Sequence, residues 1–169
     1  MATTYEAIAT VEVGSGGAAN IEFTSIPATY TDLVLKISVR STESDTASSL
    51  RVFYNSDTSN ISIREARAIN TTTASYTSSV AQVGYAGASL STANTFGSTD
   101  VYIPNYTGSA YKASSGDSAM VSTTVGNNFL VLSARLWSIS AAITSITVGT
   151  GLGTLVEHST ATLYGIKNS

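Results

Sequence analysis

The stretch from Thr31 to Ser41, Thr-Asp-Leu-Val-Leu-Lys-Ile-Ser-Val-Arg-Ser, limits what this chain can become. Leu33, Leu35, Ile37 and Val39 fall on one side of a two-residue period. Val34, Lys36, Ser38 and Arg40 fall on the other. A strand with one face in a core and one toward water reads this way, whereas a helix needs apolar residues every three to four positions. Pro27 with the Thr and Asp residues around it marks the start, and the polar run from Glu43 to Ser49 marks the stop.

Most other runs are weaker versions of this one. Ala7, Ala9, Val11 and Val13 share a parity, Gly14-Ser-Gly-Gly17 breaks it, and alternation resumes at Ala19 to Phe23, which predicts a hairpin with a glycine turn. Ile26-Pro27 ends that strand. Ser49 to Asn55 and Ser59 to Ile69 predict a second hairpin across the turn Asn55-Ser-Asp-Thr-Ser59, with Arg64 and Arg67 on solvated or interface positions. Residues 70–99 read as a loop-rich excursion with one strand around Ser78 to Tyr85. Val101-Tyr-Ile103 is a short strand. Lys112 to Val125 and Phe129 to Trp137 form a further hairpin through Gly126-Asn-Asn128. Phe129, Val131 and Ser133 alternate with Leu130, Leu132 and Ala134, so the start of that last strand is apolar on both faces, as in a central strand covered on both sides. Ile143 to Val148 and Ala161 to Ile166 close the series.

The expectation is an all-β fold of about eight to ten short strands without a helix, one domain over residues 1–169. Turn signals near every 8–12 residues are the mark of a sandwich or barrel. With no Cys, neither disulfides nor thiolate chemistry contribute. Charged residues make up 11% of the chain, while 27 Ser and 25 Thr give a hydroxyl-rich surface. A hydrophobic share of 43% with a net charge of −3 favours a folded chain over a disordered one. So weakly charged a surface is poorly protected against self-association, which favours permanent assembly. The N-terminus lacks the basic and apolar regions of a signal peptide, and no run approaches the ~18 apolar residues of a membrane span.

Little in the sequence points to a reaction. His158, the single imidazole, lies in Glu157-His-Ser159, but neighbours on a strand face opposite ways and no Gly-x-Ser-x-Gly elbow exists. The eleven acidic residues are scattered, with no motif for a carboxylate pair, and no transition-metal or other cofactor site is expected. Gly14–Gly17 and Gly149–Gly153 read as turns rather than phosphate loops. Eight basic against eleven acidic residues leave no footprint for nucleic acid. The nine Tyr are more suggestive. Tyr76, Tyr85, Tyr106 and Tyr111 sit among Ser, Gly, Asn and Thr, the mixture that binding loops favour, and are the candidate partner-contact residues.

Three stretches carry a resemblance. They are Phe23-Thr-Ser-Ile-Pro-Ala-Thr-Tyr-Thr-Asp-Leu-Val-Leu-Lys-Ile37, Val101-Tyr-Ile-Pro-Asn-Tyr106, and the closing set of Leu136-Trp-Ser138, Ala142-Ile-Thr-Ser-Ile146 and Ser159-Thr-Ala-Thr-Leu-Tyr-Gly-Ile-Lys167. Together they resemble small virion structural proteins of tailed bacteriophages of cyanobacteria and marine bacteria, over about Thr3 to Lys167. The resemblance implies a jelly-roll-like antiparallel β-sandwich, synthesised in the bacterial cytoplasm and displayed on the outer surface of the phage head. It implies a decoration or cement protein, with the major capsid protein as partner and a homo-oligomer, such as a trimer, as the working form. It brings no site residues with it. The alternative is a receptor- or glycan-binding module of a tail fibre or appendage. Neither role involves catalysis, nucleic acid or a membrane.

Overall fold

The computed structural model describes residues 4–123 and 128–167. In chain order the strands are β1 (Tyr5–Glu12), β2 (Asn20–Phe23), β3 (Asp32–Val39), β4 (Ala47–Tyr54), β5 (Ile61–Ile69), β6 (Thr72–Ser78), β7 (Gln82–Gly87), β8 (Gly97–Ile103), β9 (Lys112–Met120), β10 (Phe129–Trp137), β11 (Ile146–Thr150) and β12 (Thr160–Ile166). Every pairing is antiparallel. Eight strands form one sheet in the order β1-β12-β3-β8-β9-β10-β5-β6, and four form a second in the order β2-β11-β4-β7. The all-β sandwich is as expected; twelve strands exceed the eight to ten read from the sequence.

The wiring is that of a jelly roll carrying two inserted hairpins. With β5, β6, β9 and β10 set aside, the first remaining strand pairs with the last (β1·β12), the second with the second-last (β2·β11), and so inward through β3·β8 and β4·β7. This is one long two-stranded ribbon. It rolls up by pairing β12 with β3 and β11 with β4, giving two four-stranded sheets. The insertions β5–β6 and β9–β10 then extend the larger sheet beyond β8, with β10 pairing β9 on one side and β5 on the other.

The core lies between the sheets. On β3, Leu33, Leu35, Ile37 and Val39 are all buried, as the alternation requires. Val101, Ile103, Ala161 and Leu163 join them from the same sheet, and Ile21, Phe23, Leu50, Val52, Tyr54, Val83, Ile146 and Val148 meet them from the other. Each fully buried aliphatic side chain contributes about 1.5–3 kcal/mol.

Several sequence expectations need correction. β1 and β2 are not a hairpin, nor are β4 and β5, because in each case the chain crosses from one sheet to the other. Turn residues report a reversal but not which sheet receives the next strand. In β1 the shared parity of Ala7 and Ala9 is broken by a bulge between them. Ile8 and Val11 therefore pack on the core, while Ala7 and Ala9 stay exposed. Residues 70–99 are no loop excursion, for they hold β6, all of β7 and the start of β8. The proposed turn at Gly126-Asn127 lies outside the described residues.

β7 was hard to read because it is built for close approach rather than for bulk. A Cβ on Gly84 would stand 2.1 Å from Ser118 Oγ and 2.2 Å from Ser118 Cβ, so β7 and β9 meet where neither carries a large side chain. A Cβ on Gly97 would stand 2.8 Å from the Tyr85 carbonyl oxygen. Gly84→Ala is expected to destabilise the fold by about 1–3 kcal/mol in denaturant unfolding. Adding Ser118→Gly should recover much of that loss, since it removes the atoms a new methyl would strike. A double variant no more stable than Gly84→Ala alone would refute this packing.

Candidate interaction surfaces

The inserted hairpins carry apolar residues on both faces. Alternation turns Phe129, Val131, Ser133, Arg135 and Trp137 of β10 inward and Leu130, Leu132, Ala134 and Leu136 outward. The inward set meets Lys112, Ser114, Gly116 and Ser118 of β9 and Ile63, Glu65 and Arg67 of β5 through the register. The inner side therefore mixes buried polar and charged groups with Phe129, Val131, Trp137, Ile61, Ile63 and Met120. Arg135 is buried, donating through Nη2 to the Val52 carbonyl at 2.6 Å and through Nη1 to Tyr54 Oη at 3.1 Å. Lys112 is buried with Nζ donating to the carbonyls of Gly108 at 2.6 Å and Ala110 at 2.5 Å, and burial pushes its pKa down. Arg67 donates to Glu65 Oε2 at 2.5 Å and to Tyr85 Oη at 2.7 Å. Arg64 faces outward as expected, but Arg67 does not face solvent, because the strand's parity turns it toward Glu65.

The outer side carries a further apolar row. Leu130, Leu132 and Leu136 are 57%, 61% and 40% exposed. Across the register they are flanked by Ala68, Ala66 and Ser62 of β5 and by Ala119, Asp117 and Ala113 of β9. Two shallow depressions run along this face between β10 and β6. The expectation that β10 is covered on both sides is therefore corrected: it is central within its sheet, but among the described residues no second layer lies over its outer face. Its apolar run could not by itself distinguish a covered face from one left open.

Three further exposed apolar side chains stand at one end of the sandwich, among Ser and Thr hydroxyls. Strict antiparallel alternation gathers the connections after β3, β7, β9 and β11 at that end. Leu90, Val121 and Leu152 stand there 57%, 68% and 67% exposed. The described parts of their loops are hydrogen-bonded to neighbouring segments. The Ser89 and Leu90 amides donate to the carbonyls of Glu43 and Asp45 at 3.0 and 2.9 Å. Ser41 Oγ donates to the Leu152 carbonyl at 3.0 Å. Thr92 bonds Ser122 and Thr123. Arg40 reaches into the β7–β8 loop, where Nη1 donates to Ser91 Oγ at 2.8 Å and to the carbonyls of Thr92 and Thr95 at 2.8 and 3.0 Å.

The four tyrosines divide. Tyr76 and Tyr85 come together around Arg67, whose guanidinium lies 4.2 Å from the Tyr76 ring centroid and 5.2 Å from that of Tyr85. Tyr85 also stacks on Phe129 at 3.8 Å, so it is half-buried, while Tyr76 is exposed on the edge strand. Tyr111 is exposed. Tyr106 is fully buried with its hydroxyl donating to the Pro27 carbonyl, so it plugs the core and is unavailable to a partner, which corrects that expectation. Three other tyrosines face outward across the larger sheet. Tyr5 and Tyr164 lie 6.0 Å apart, and Tyr102 stands near the Lys36–Asp100 ion pair.

Among the described residues, no three His, Asp or Glu side chains gather as a metal-binding group, and no helix is long and apolar enough to cross a membrane. No hydrogen bond joins the Glu157 and His158 side chains among the described contacts, though the Glu157 charge adds to the Glu12 hydrogen bond in raising the His158 pKa. His158 Nδ1 instead meets Glu12 Oε1 at 2.9 Å on the exposed surface. No protein-family model matches the chain, and no curated protein or solved structure matches it either.

The Glu12 contact holds His158 above the ordinary imidazole range. Its stabilising contribution is complete below the unfolded value of about 6.5 and disappears as pH rises through the folded value. Because His158 is the only imidazole, its ring protons should titrate in NMR with a midpoint above about 6.5, moving down in Glu12→Gln. An unchanged midpoint in that variant would refute the contact in solution.

Proposed function

We propose that this protein is a structural component of a tailed-bacteriophage particle, a head decoration or cement protein that binds the assembled shell of major capsid protein. It is synthesised in the host cytoplasm, acts as a homo-oligomer on the outer surface of the head, and works by contact without catalysing a reaction. The observation that carries this reading is the end of the sandwich bearing Leu90, Val121 and Leu152. Exposed apolar side chains on loops already fixed by Arg40, Ser41 and Thr92 form a preordered docking surface, and preordering lowers the entropy cost of binding. The resemblance to phage virion proteins supplies the particle. Many weak contacts of this kind, repeated over a lattice, sum to firm attachment.

A second reading is a receptor- or glycan-binding module at the tail. It is favoured by the exposed Tyr5 and Tyr102 beside Lys36, Asp100 and Asp117, with the half-buried Tyr164 against Tyr5, rings and polar groups that suit a sugar. Jelly rolls serve viral capsids and lectins alike, so the fold supports either.

Imaging of the particle with copy counting separates the two, since many copies over the head support cementing and a few at the tail support receptor binding. Purified protein should also bind empty expanded shells and raise their rupture temperature. Replacing Leu90 and Leu152 by Asp should weaken that binding by at least about tenfold while leaving the unfolding midpoint unchanged. Undiminished binding by that variant would remove the docking surface named here.

A further inference from the structure

The open Leu/Ala face of β10 requires a partner different from the loop end. A flat sheet face of this kind on a lone chain is an association site. With strands about 4.8 Å apart and about 3.4 Å per residue, the outer face of β9, β10, β5 and β6 covers roughly 500 Å². Two such faces together reach roughly 1,000 Å², the lower bound of a specific interface.

Its charges identify the occupant. Arg64 and Asp117 are the charged residues on this face, and they lie on opposite flanks of the leucine row, Arg64 on β5 beside Ala134 and Asp117 on β9 beside Leu132. Among the described residues neither has an ion-pair contact within 4 Å, although Asp117 lies beside Asp100 and, with it, helps hold the Lys36 pKa up. Arg64 Nη1 reaches only the carbonyl of its neighbour Ile63, at 3.5 Å, and Lys36 is already engaged by Asp100. A surface with a cation on one side of an apolar stripe and an anion on the other is complementary to itself.

We propose that two copies of this chain pair face to face over β10, as an isologous dimer. The charges also choose its axis. A two-fold running along β10 lays the β5 flank of one copy over the β9 flank of the other. Each Arg64 then stands one outward position from the partner copy's Asp117, about 7 Å along the strand, within the span of an arginine side chain. A two-fold running across β10 would set Asp117 against Asp117 and Arg64 against Arg64, which like-charge repulsion disfavours. The leucine rows meet in the middle, closing a third apolar layer at the usual sheet-to-sheet spacing of about 10 Å. The interior of the inserted hairpins mixes buried apolar and charged groups, and a further apolar row lies on this outer side. The pairing stands independently of the virion reading, and it leaves the Leu90, Val121 and Leu152 end free.

Sedimentation equilibrium over a micromolar concentration series tests it. The wild-type chain should pass reversibly from monomer to dimer. Leu132→Asp should weaken the dimer by more than about a hundredfold, because it places a charge in the centre of the contact. Arg64→Asp alone and Asp117→Arg alone should each weaken it about fivefold or more, and the two combined should return it to near the wild-type constant. The charge variants keep the test open if Leu132→Asp does not fold, which circular dichroism reports directly. A monomer at every concentration, a trimer, or a dimer indifferent to Leu132→Asp and to both charge reversals would overturn the proposal. The last of these outcomes would direct attention to the unpaired edge of β6.

Discussion

The rest of the molecule hangs on the contact between two rows of aliphatic side chains across the sandwich. Leu33, Leu35, Ile37 and Val39 of β3 face the row from Leu50 through Val52 to Tyr54 on β4, with Ile146 and Val148 of β11 beside it. β3 and β4 follow one another in the ribbon, so the roll-up of the chain and the formation of the core are the same event. Without Cys, and so without disulfides, this burial is the main force opposing chain entropy.

Around that core the chain divides its labour. The eight ribbon strands place apolar residues inside and hydroxyls outside in the ordinary way. The inserted hairpins depart from it, holding Lys112, Arg135, Glu65 and Arg67 within, beside Phe129, Val131 and Trp137, while Leu130, Leu132 and Leu136 stand outside. Buried cations are tolerable there because backbone carbonyls accept from them: Val52 from Arg135, and Gly108 and Ala110 from Lys112. The inner side of the hairpins thus holds them to the jelly roll through directed hydrogen bonds, and the outer side is left for contact with another molecule. The loop end is built differently: Arg40 fixes the β7–β8 loop, so that Leu90 is held out on an ordered backbone.

Some of this was readable from the residues. β3 and β12 were legible in boundary and in facing, because strong alternation was bounded by clear turn residues. The β9–β10 hairpin was legible as a pair, since both strands stay in one sheet. β7 was not. Its glycines, which looked like loop signals, are there so that Ser118 of β9 can approach. The tyrosines drew attention as binding residues, yet Tyr106 has its ring in the core and its hydroxyl on Pro27. The surfaces that matter most, Leu130, Leu132 and Leu136 with Leu90 and Leu152, resembled core residues, because hydrophobicity alone does not tell burial within a chain from burial between chains.

The amino-acid order by itself determined the β class, the facing of the strongest strands and the scarcity of charge, because period and composition are local properties that each residue carries with it. Only the tertiary structure decided which strands share a sheet, that two hairpins are inserted into a rolled ribbon, and that Arg64 and Asp117 flank an open leucine row. Those depend on pairing between segments as far apart as β1 and β12, a choice made by the collective fit of whole faces rather than by any short stretch of residues.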